Sequence, residues 1–528
     1  MTKRKRNKNN ILSPLQIMIL SGVGIMMLMC FVAFKSTPIT YEVVNYDKDN
    51  NKTTLHYYQN FTQAKQSYDQ LIKENKFNPA ILKGNELLAI RYGVLSFKRD
   101  NCGINTSFTY ENNDLTGYTN GCYGGDGAYI ETNEDASLFK FKLSGTIGWV
   151  KTSDVKLYNY FDQNQVKSVN HYIVKDGFLI HKGTADLHNE SYNLSINIGE
   201  ANSSYVAPIY YSYDAHYFYE RYPEMIDDYR NNTYVHSVNS EQPHINYYQY
   251  LTHRSLSNYT KDDINWYIEN YLGFNGKLKK INDVTYHSQL FHQGKNFINN
   301  QNKYGVNAIM MFSLACNESD FGRSSIAYEN NNLFGHAAYD ASPGASANKY
   351  KSVGDSIEIH ARLFLSLGYL NPCDGSKDGT DLNICMSNPD NRYFGGYFGD
   401  KNSGLNVRYA SDPYWGEKAA AYYRTFDEVL GNKDHNSEHI LMLRNESIPI
   451  YAQADRKRTL LYRTTKNTPS FVLKKRIVKG ETIDGNDEWY EIQSDANIEN
   501  EHLLSDKGLY VKKNSVGYLH SSYLGGKR

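Results

Sequence analysis

The sequence predicts a multidomain chain in which an α-rich unit is flanked by small β domains and preceded by a transmembrane helix. Three observations carry this. The chain has 528 residues, and at ~100–200 residues per domain roughly three or four folded units are expected. The pattern runs from short strands with Gly/Asn turns to helical spacing and back again. Near the N-terminus, the run from Ile17 to Phe34 carries no charge.

Residues 1–36 are read as a cytoplasmic tail and membrane anchor. Lys3, Arg4, Lys5, Arg6, Lys8 and Lys35 lie there with no acid. The 18 residues from Ile17 to Phe34 are about the minimum that crosses a bilayer. Basic flanks stay on the cytoplasmic side, which places the rest outside the cell. A cleaved signal peptide, giving a secreted protein, is the alternative, although Val32-Ala33-Phe34-Lys35-Ser36 lacks a small-x-small cleavage site. Six of the 57 bases lie in this tail, leaving 51 against 57 acids. A net acidic body argues against nucleic acid as a partner.

Residues 37–160 read as a lead-in with one helical stretch, Thr62 to Glu74, followed by a β domain of short strands. Cys102 and Cys122 flank a Gly/Asn/Thr-rich stretch, and Cys373 and Cys385 bracket a loop. Either pair can form a disulfide outside the cell. No cysteine or histidine spacing suggests a metal site. The segment closes on Gly148-Trp149-Val150-Lys151-Thr152-Ser153-Asp154-Val155. Residues 436–528 close similarly, on Gly517-Tyr518-Leu519-His520-Ser521-Ser522-Tyr523-Leu524. Both regions resemble bacterial SH3-like domains, small barrels often attached to cell-wall enzymes; two unrelated β domains that end alike are the plainer alternative. Between them, residues 161–249 form a Tyr-rich connecting domain to which no chemistry is assigned. The chain holds 47 Tyr against 22 Phe and 4 Trp. Tyrosine suits sugar stacking, but a biased genome composition gives the same count.

Residues 250–435 have helical spacing. Helices are expected over Asp262–Tyr271, Tyr286–Asn299, Val306–Ser319 and Ser352–Leu367, the last capped by Ser352 with Asp355 three residues on. A final helix enters at Asp412-Pro413, with Trp415, Ala419 and Tyr422 as its apolar stripe.

The chemistry is expected at Glu318. From Ala308 to Cys316 the helix is apolar almost all round, the mark of a buried central rod. Glu318 sits where that rod meets solvent. Partial desolvation and the negative end of the helix dipole both oppose its charge and raise its pKa. A carboxyl that keeps its proton near neutrality can protonate a glycosidic leaving oxygen. Cys316 reads as an inert buried thiol.

Downstream, Ala315-x-x-Glu318-Ser319-x-x-Gly322 is followed by Asn331-Asn332-Leu333-Phe334-Gly335, then Ala338-Tyr339-Asp340, Tyr350-Lys351-Ser352 and Tyr409-Ala410-Ser411-Asp412-Pro413. In this order the series resembles the bacterial N-acetylglucosaminidase family of autolysins, within the lysozyme-like superfamily, over roughly residues 285–430. The resemblance implies a lysozyme-like catalytic domain with Glu318 as catalytic acid and Tyr409 near the scissile sugar. Asn332 and Phe334 fall in a segment that shapes the cleft wall. Asp340 is the candidate second carboxylate, and Tyr339 and Tyr414 are candidates to stack on sugar rings. Phe334 can equally be core packing, and His336 reads as a structural polar group. The function implied is cleavage of the β-1,4 bond after N-acetylglucosamine in peptidoglycan glycan strands, with no metal or cofactor. A lytic transglycosylase on the same fold and a non-catalytic wall-binding protein are the alternatives.

Overall fold

The computed structural model describes residues 40–525 other than 112–114, 191, 274–278, 282–283, 287, 338–346, 373–391, 465–469, 500–501, 504–509 and 511–514. It divides into two compact units, at Leu88/Ala89.

The first unit is an antiparallel sheet with one helix. β1 (Tyr41–Tyr46), β2 (Lys52–Tyr58), β3 (Asn78–Lys83) and β4 (Glu86–Ile90), within which the division falls, lie in the order β2-β1-β3-β4. α1 (Phe61–Lys73) falls on the predicted helical stretch. Asn60 caps it by accepting from the Gln63 N–H, and it buries Phe61, Ala64, Tyr68 and Leu71 on one face.

The second unit opens with seven strands: β5 (Gly93–Ser96), β6 (Thr106–Tyr110), β7 (Thr116–Thr119), β8 (Asp126–Thr132), β9 (Leu138–Leu143), β10 (Thr146–Lys151) and β11 (Lys156–Asn159). Their order is β11-β5-β8-β9-β10-β6-β7. A disulfide joins Cys102 to Cys122; Cys373 and Cys385 lie outside the described residues. β12 (His171–Lys175), β13 (Phe178–Gly183) and β14 (Leu194–Glu200) make a three-stranded meander. Eight further strands among the described residues between His439 and His520 build a six-stranded sheet and a two-stranded ribbon.

Between these sheets lie the helices that carry the site. They follow α2 (Tyr222–Asn231) and comprise α3 (Lys261–Trp266), α4 (Gly294–Tyr304), α5 (Ala308–Ser319), α6 (Ser325–Asn330), α7 (Val353–Ile359) and α8 (Trp415–Val429). α3 and α7 run on as π-helical turns to Tyr271 and Tyr369. α5 is the central rod. The Asn307 side chain caps it from the Ile309 and Met310 N–H groups, and every residue from Ala308 to Cys316 is buried. Each fully buried Ile, Met, Phe or Leu there contributes roughly 1.5–3 kcal/mol. α5 packs against α8, which in turn packs against β14.

This architecture corrects the predicted fold class. Among the described residues strand holds 29% and helix 27%, so this is not an α-rich unit with β appendages. The excess strand comes partly from segments whose two faces are both covered. β8, for example, is buried at six of seven positions and shows no alternation. No helix among the described residues is long and apolar enough to cross a membrane; Ile17–Phe34 lies outside them. The helix expected over Tyr286–Asn299 begins only at Gly294. The residues before it are engaged elsewhere: Ser288 Oγ bonds the Phe321 carbonyl at 2.7 Å, and the Gln289 N–H bonds that of Gly322 at 2.8 Å.

Candidate active site

Glu318 lies in the last turn of α5. The helix is stopped abruptly, because Asp320, Phe321 and Gly322 all take left-handed backbone conformations, with φ of 51°, 58° and 74°. The Glu318 side chain is half-buried. Its Oε1 accepts from the indole N–H of Trp415 and, at 3.3 Å, from Asn317 Nδ2. Its Oε2 faces Gly335, where a Cβ would stand 3.6 Å away. Burial pushes the Glu318 pKa up to about 7; the Trp415 and Asn317 donors hold it back, and the charge of Asp412 adds to the rise. The group is therefore part-protonated at neutral pH, as a general acid must be.

The facing wall is the turn Asn332–His336. The Asn332 amide is fully engaged in holding it. Its Nδ2 donates to the His336 and Asn348 carbonyls at 3.0 and 3.1 Å, and its Oδ1 accepts from the Phe334 and His336 N–H groups at 3.3 and 3.2 Å. Gly335 takes φ +63°, which favours glycine. Phe334 is buried, stacked on His360 with centroids 3.7 Å apart; it props the wall and offers no open face to a sugar. Beneath it, His336 bonds the Tyr350 hydroxyl at 2.6 Å and His360 at 3.0 Å. Burial holds the His336 pKa down at about 3 and that of His360 well below the usual value, so both rings are neutral.

Tyr409 links this turn to Trp415. Its hydroxyl donates to the Phe334 carbonyl at 3.3 Å, and its ring stacks on Trp415 at 4.5 Å. Burial, and next the charge of Glu318, raises its pKa well above 10, so it stays protonated. Tyr414, expected as a sugar platform, is buried elsewhere. Its ring meets His181 edge-on at 4.6 Å and closes over Gly124. Tyr339 and Asp340 lie outside the described residues. The structure thus brings together Glu318, Tyr409 and the Asn332–Phe334 wall.

Two residues were missed by sequence reasoning. Trp415 read as a stripe position on α8, yet its N–H bonds the acid. Asp412 read as a helix entry, yet it is the carboxylate that acts on Glu318. Asp412 is held by Lys418 Nζ and by the Tyr414 N–H. Both stand in the Tyr409–Trp415 segment, so proximity to the motif was the available signal.

That segment is held from behind. Lys401, fully buried, donates to the Ala410 and Asn406 carbonyls at 2.8 and 2.9 Å. From the seven-stranded sheet and its turns, the Tyr118 hydroxyl bonds the Arg408 carbonyl at 3.0 Å, the Asn120 N–H that of Ser411 at 2.9 Å, and Ser144 Oγ that of Pro413 at 2.6 Å.

Residues 294–428 match the family model described as glucosaminidase, mannosyl-glycoprotein endo-beta-N-acetylglucosaminidase. Two curated proteins from strains of Streptococcus pneumoniae, each provisionally named an endo-beta-N-acetylglucosaminidase, are 35% identical over 147 residues. The aligned part is 28% of this chain and 19% and 18% of theirs, so the match spans about a fifth of those relatives. Among solved structures, autolysin E of S. aureus is similar at 20% identity and TM-score 0.24, over 36% of this chain and 76% of that one. A catalytic mutant of the same protein in complex with the disaccharide NAG-NAM aligns with TM-score 0.23, over 35% and 73%.

Proposed function

We propose, from the match of residues 294–428 to the glucosaminidase family model, that the protein is a peptidoglycan hydrolase cutting the β-1,4 bond after N-acetylglucosamine in glycan strands. The observation that carries this reading is the Glu318 carboxyl, held near pKa 7 by burial and aimed between Trp415 and Gly335.

Glu318 gives its proton to the leaving glycosidic oxygen as the bond breaks. Tyr409, protonated and bonded to the Phe334 carbonyl, fixes the separation of the cleft's two walls beside the scissile sugar. Asn332 and Phe334 act through the wall they hold. The opposite face of the sugar then receives either a water activated by Asp340 or the substrate's own N-acetyl oxygen, and the anomeric configuration of the product tells the two apart. The Cys102–Cys122 disulfide supports a site of action outside the cytoplasm.

The test is release of reducing ends from purified sacculi. Glu318→Gln keeps the shape and removes the acid, and the expected loss is about 10²–10⁴-fold. Undiminished release by the variant overturns the assignment. Mass spectrometry of the products separates hydrolysis, which leaves reducing N-acetylglucosamine ends, from transglycosylation, which leaves an anhydro sugar.

A further inference from the structure

Immediately after the acid, the backbone adopts a conformation that L-residues avoid. Asp320 and Phe321 precede Gly322 in the left-handed region, at a cost of about 1–2 kcal/mol for each side-chain-bearing residue. A bulky aromatic residue there is a genuine outlier. The surroundings hold it firmly. The Phe321 N–H bonds the Cys316 carbonyl at 3.0 Å, the Gly322 N–H bonds Ser319 Oγ at 2.7 Å, and Ser288 Oγ grips the Phe321 carbonyl at 2.7 Å. Backbone strain retained in this way, next to a reacting group, points to a side chain that must be presented.

What is presented is a half-buried ring. Phe321 meets Tyr422 edge-to-face at 5.3 Å, and Tyr422 is also half-buried. The Arg323 guanidinium lies 5.8 Å from the Phe321 ring centroid. Tyr422 is on α8, seven residues beyond Trp415. Seven residues are two turns, so the two rings share one face of the helix, about 10 Å apart along it. Trp415 and Tyr409 therefore mark one end of an aromatic strip and Tyr422 and Phe321 the other. Tyr422 remains within electrostatic reach of the acid, since Glu318 is among the charges that raise its pKa.

We propose that Phe321 and Tyr422 form an aromatic step that takes the apolar face of a pyranose ring at a subsite removed from the scissile bond. The step selects long glycan strands over short ones. This rests on the glucosaminidase reading, and it names residues neither in the motif series nor in the acid's hydrogen bonds. Phe321 is a substrate-binding residue in this account, and its backbone strain is the cost of setting its ring against Tyr422.

The strain supplies its own control. Phe321→Gly removes the ring and relieves the left-handed backbone together, so Tm should hold or rise while binding falls. The protein is taken in the Glu318→Gln background, and binding of N-acetylglucosamine dimers and hexamers is measured by calorimetry. Phe321→Gly is expected to weaken the hexamer roughly three- to tenfold, the scale of one aromatic contact, and to leave the dimer within twofold. Tyr422→Phe, which keeps the ring, should retain hexamer binding, and Tyr422→Ser should lose it. Unchanged hexamer affinity in Phe321→Gly, or equal loss for dimer and hexamer, overturns the step while leaving the hydrolase intact. Full activity of Glu318→Gln on sacculi overturns the hydrolase reading instead, and the step with it.

Discussion

Trp415 and burial pull the Glu318 proton in opposite directions. Burial raises the pKa, and the indole N–H lowers it because it bonds the charged form. Replacing Trp415 by Phe keeps a ring stacked on Tyr409 and removes the donor, so the acid's pKa should rise above about 7. The active form is the protonated one. Wild-type kcat/KM should therefore fall as pH rises through about 7, and the variant's alkaline limb should lie at higher pH; a limb displaced downward contradicts the assignment. Gly335 gives a second residue-scale expectation. Gly335→Ala puts a methyl group beside Glu318 Oε2 on a backbone with φ +63°. It should cost about 1–2 kcal/mol in thermal unfolding and, by adding apolar contact at 3.6 Å to the carboxyl, move the alkaline limb of kcat/KM to higher pH. Glu318 was legible because a run of apolar residues ended in one acid. Trp415 and Asp412 were not, because their partner lies more than ninety positions earlier in the chain, and no local spacing encodes so distant a contact.

The elements around the site show which signals are local. The Ser352 cap was readable, and it starts its helix by accepting a backbone N–H; Asn60 and Asn307 do the same, although the helices there were expected to begin at Thr62 and Val306. The stop at Ser319 was placed as well, yet the left-handed turn that makes it is held by Ser288 and Gln289 from another segment, which no local pattern shows. Tyr414 failed as a platform for a related reason: an aromatic beside a motif reads the same whether it faces a cleft or, as here, His181. The turn from Asn406 to Pro413 hangs on Lys401, whose buried Nζ donates to two carbonyls. Lys401→Met would leave the buried Asn406 carbonyl unbonded, at roughly 1–3 kcal/mol, and the part-buried Ala410 carbonyl without its donor. Thermal unfolding should register that loss, and kcat should drop further than KM rises because Tyr409 and Trp415 lose their backing. Native stability in this variant would show that Lys401 does not hold the turn.

At the scale of the molecule, the sequence conveyed the catalytic segment better than the fold around it. The apolar rod at Ala308–Cys316 left little choice of structure, whereas strands such as β8 have both faces covered and carry no period-2 signature. The Cys102–Cys122 bond closes a loop spanning 20 positions, worth about 3 kcal/mol in the chain-entropy model. Its loop leads into Asn120, which bonds the Ser411 carbonyl. The double variant Cys102→Ser/Cys122→Ser should lower Tm and reduce sacculus hydrolysis at temperatures where the unit is still folded; unaltered hydrolysis would separate this sheet from the site.

The carbonyls of Arg408, Ser411 and Pro413 find their partners at Tyr118, Asn120 and Ser144, nearly three hundred positions upstream. The matched segment 294–428 is thus an incomplete tool when cut free. Excised, it would carry the acid but no anvil behind the strip that steadies it. An engineer trimming this protein to the smallest fragment that keeps the site intact should begin the cut before Gly93, not at Gly294.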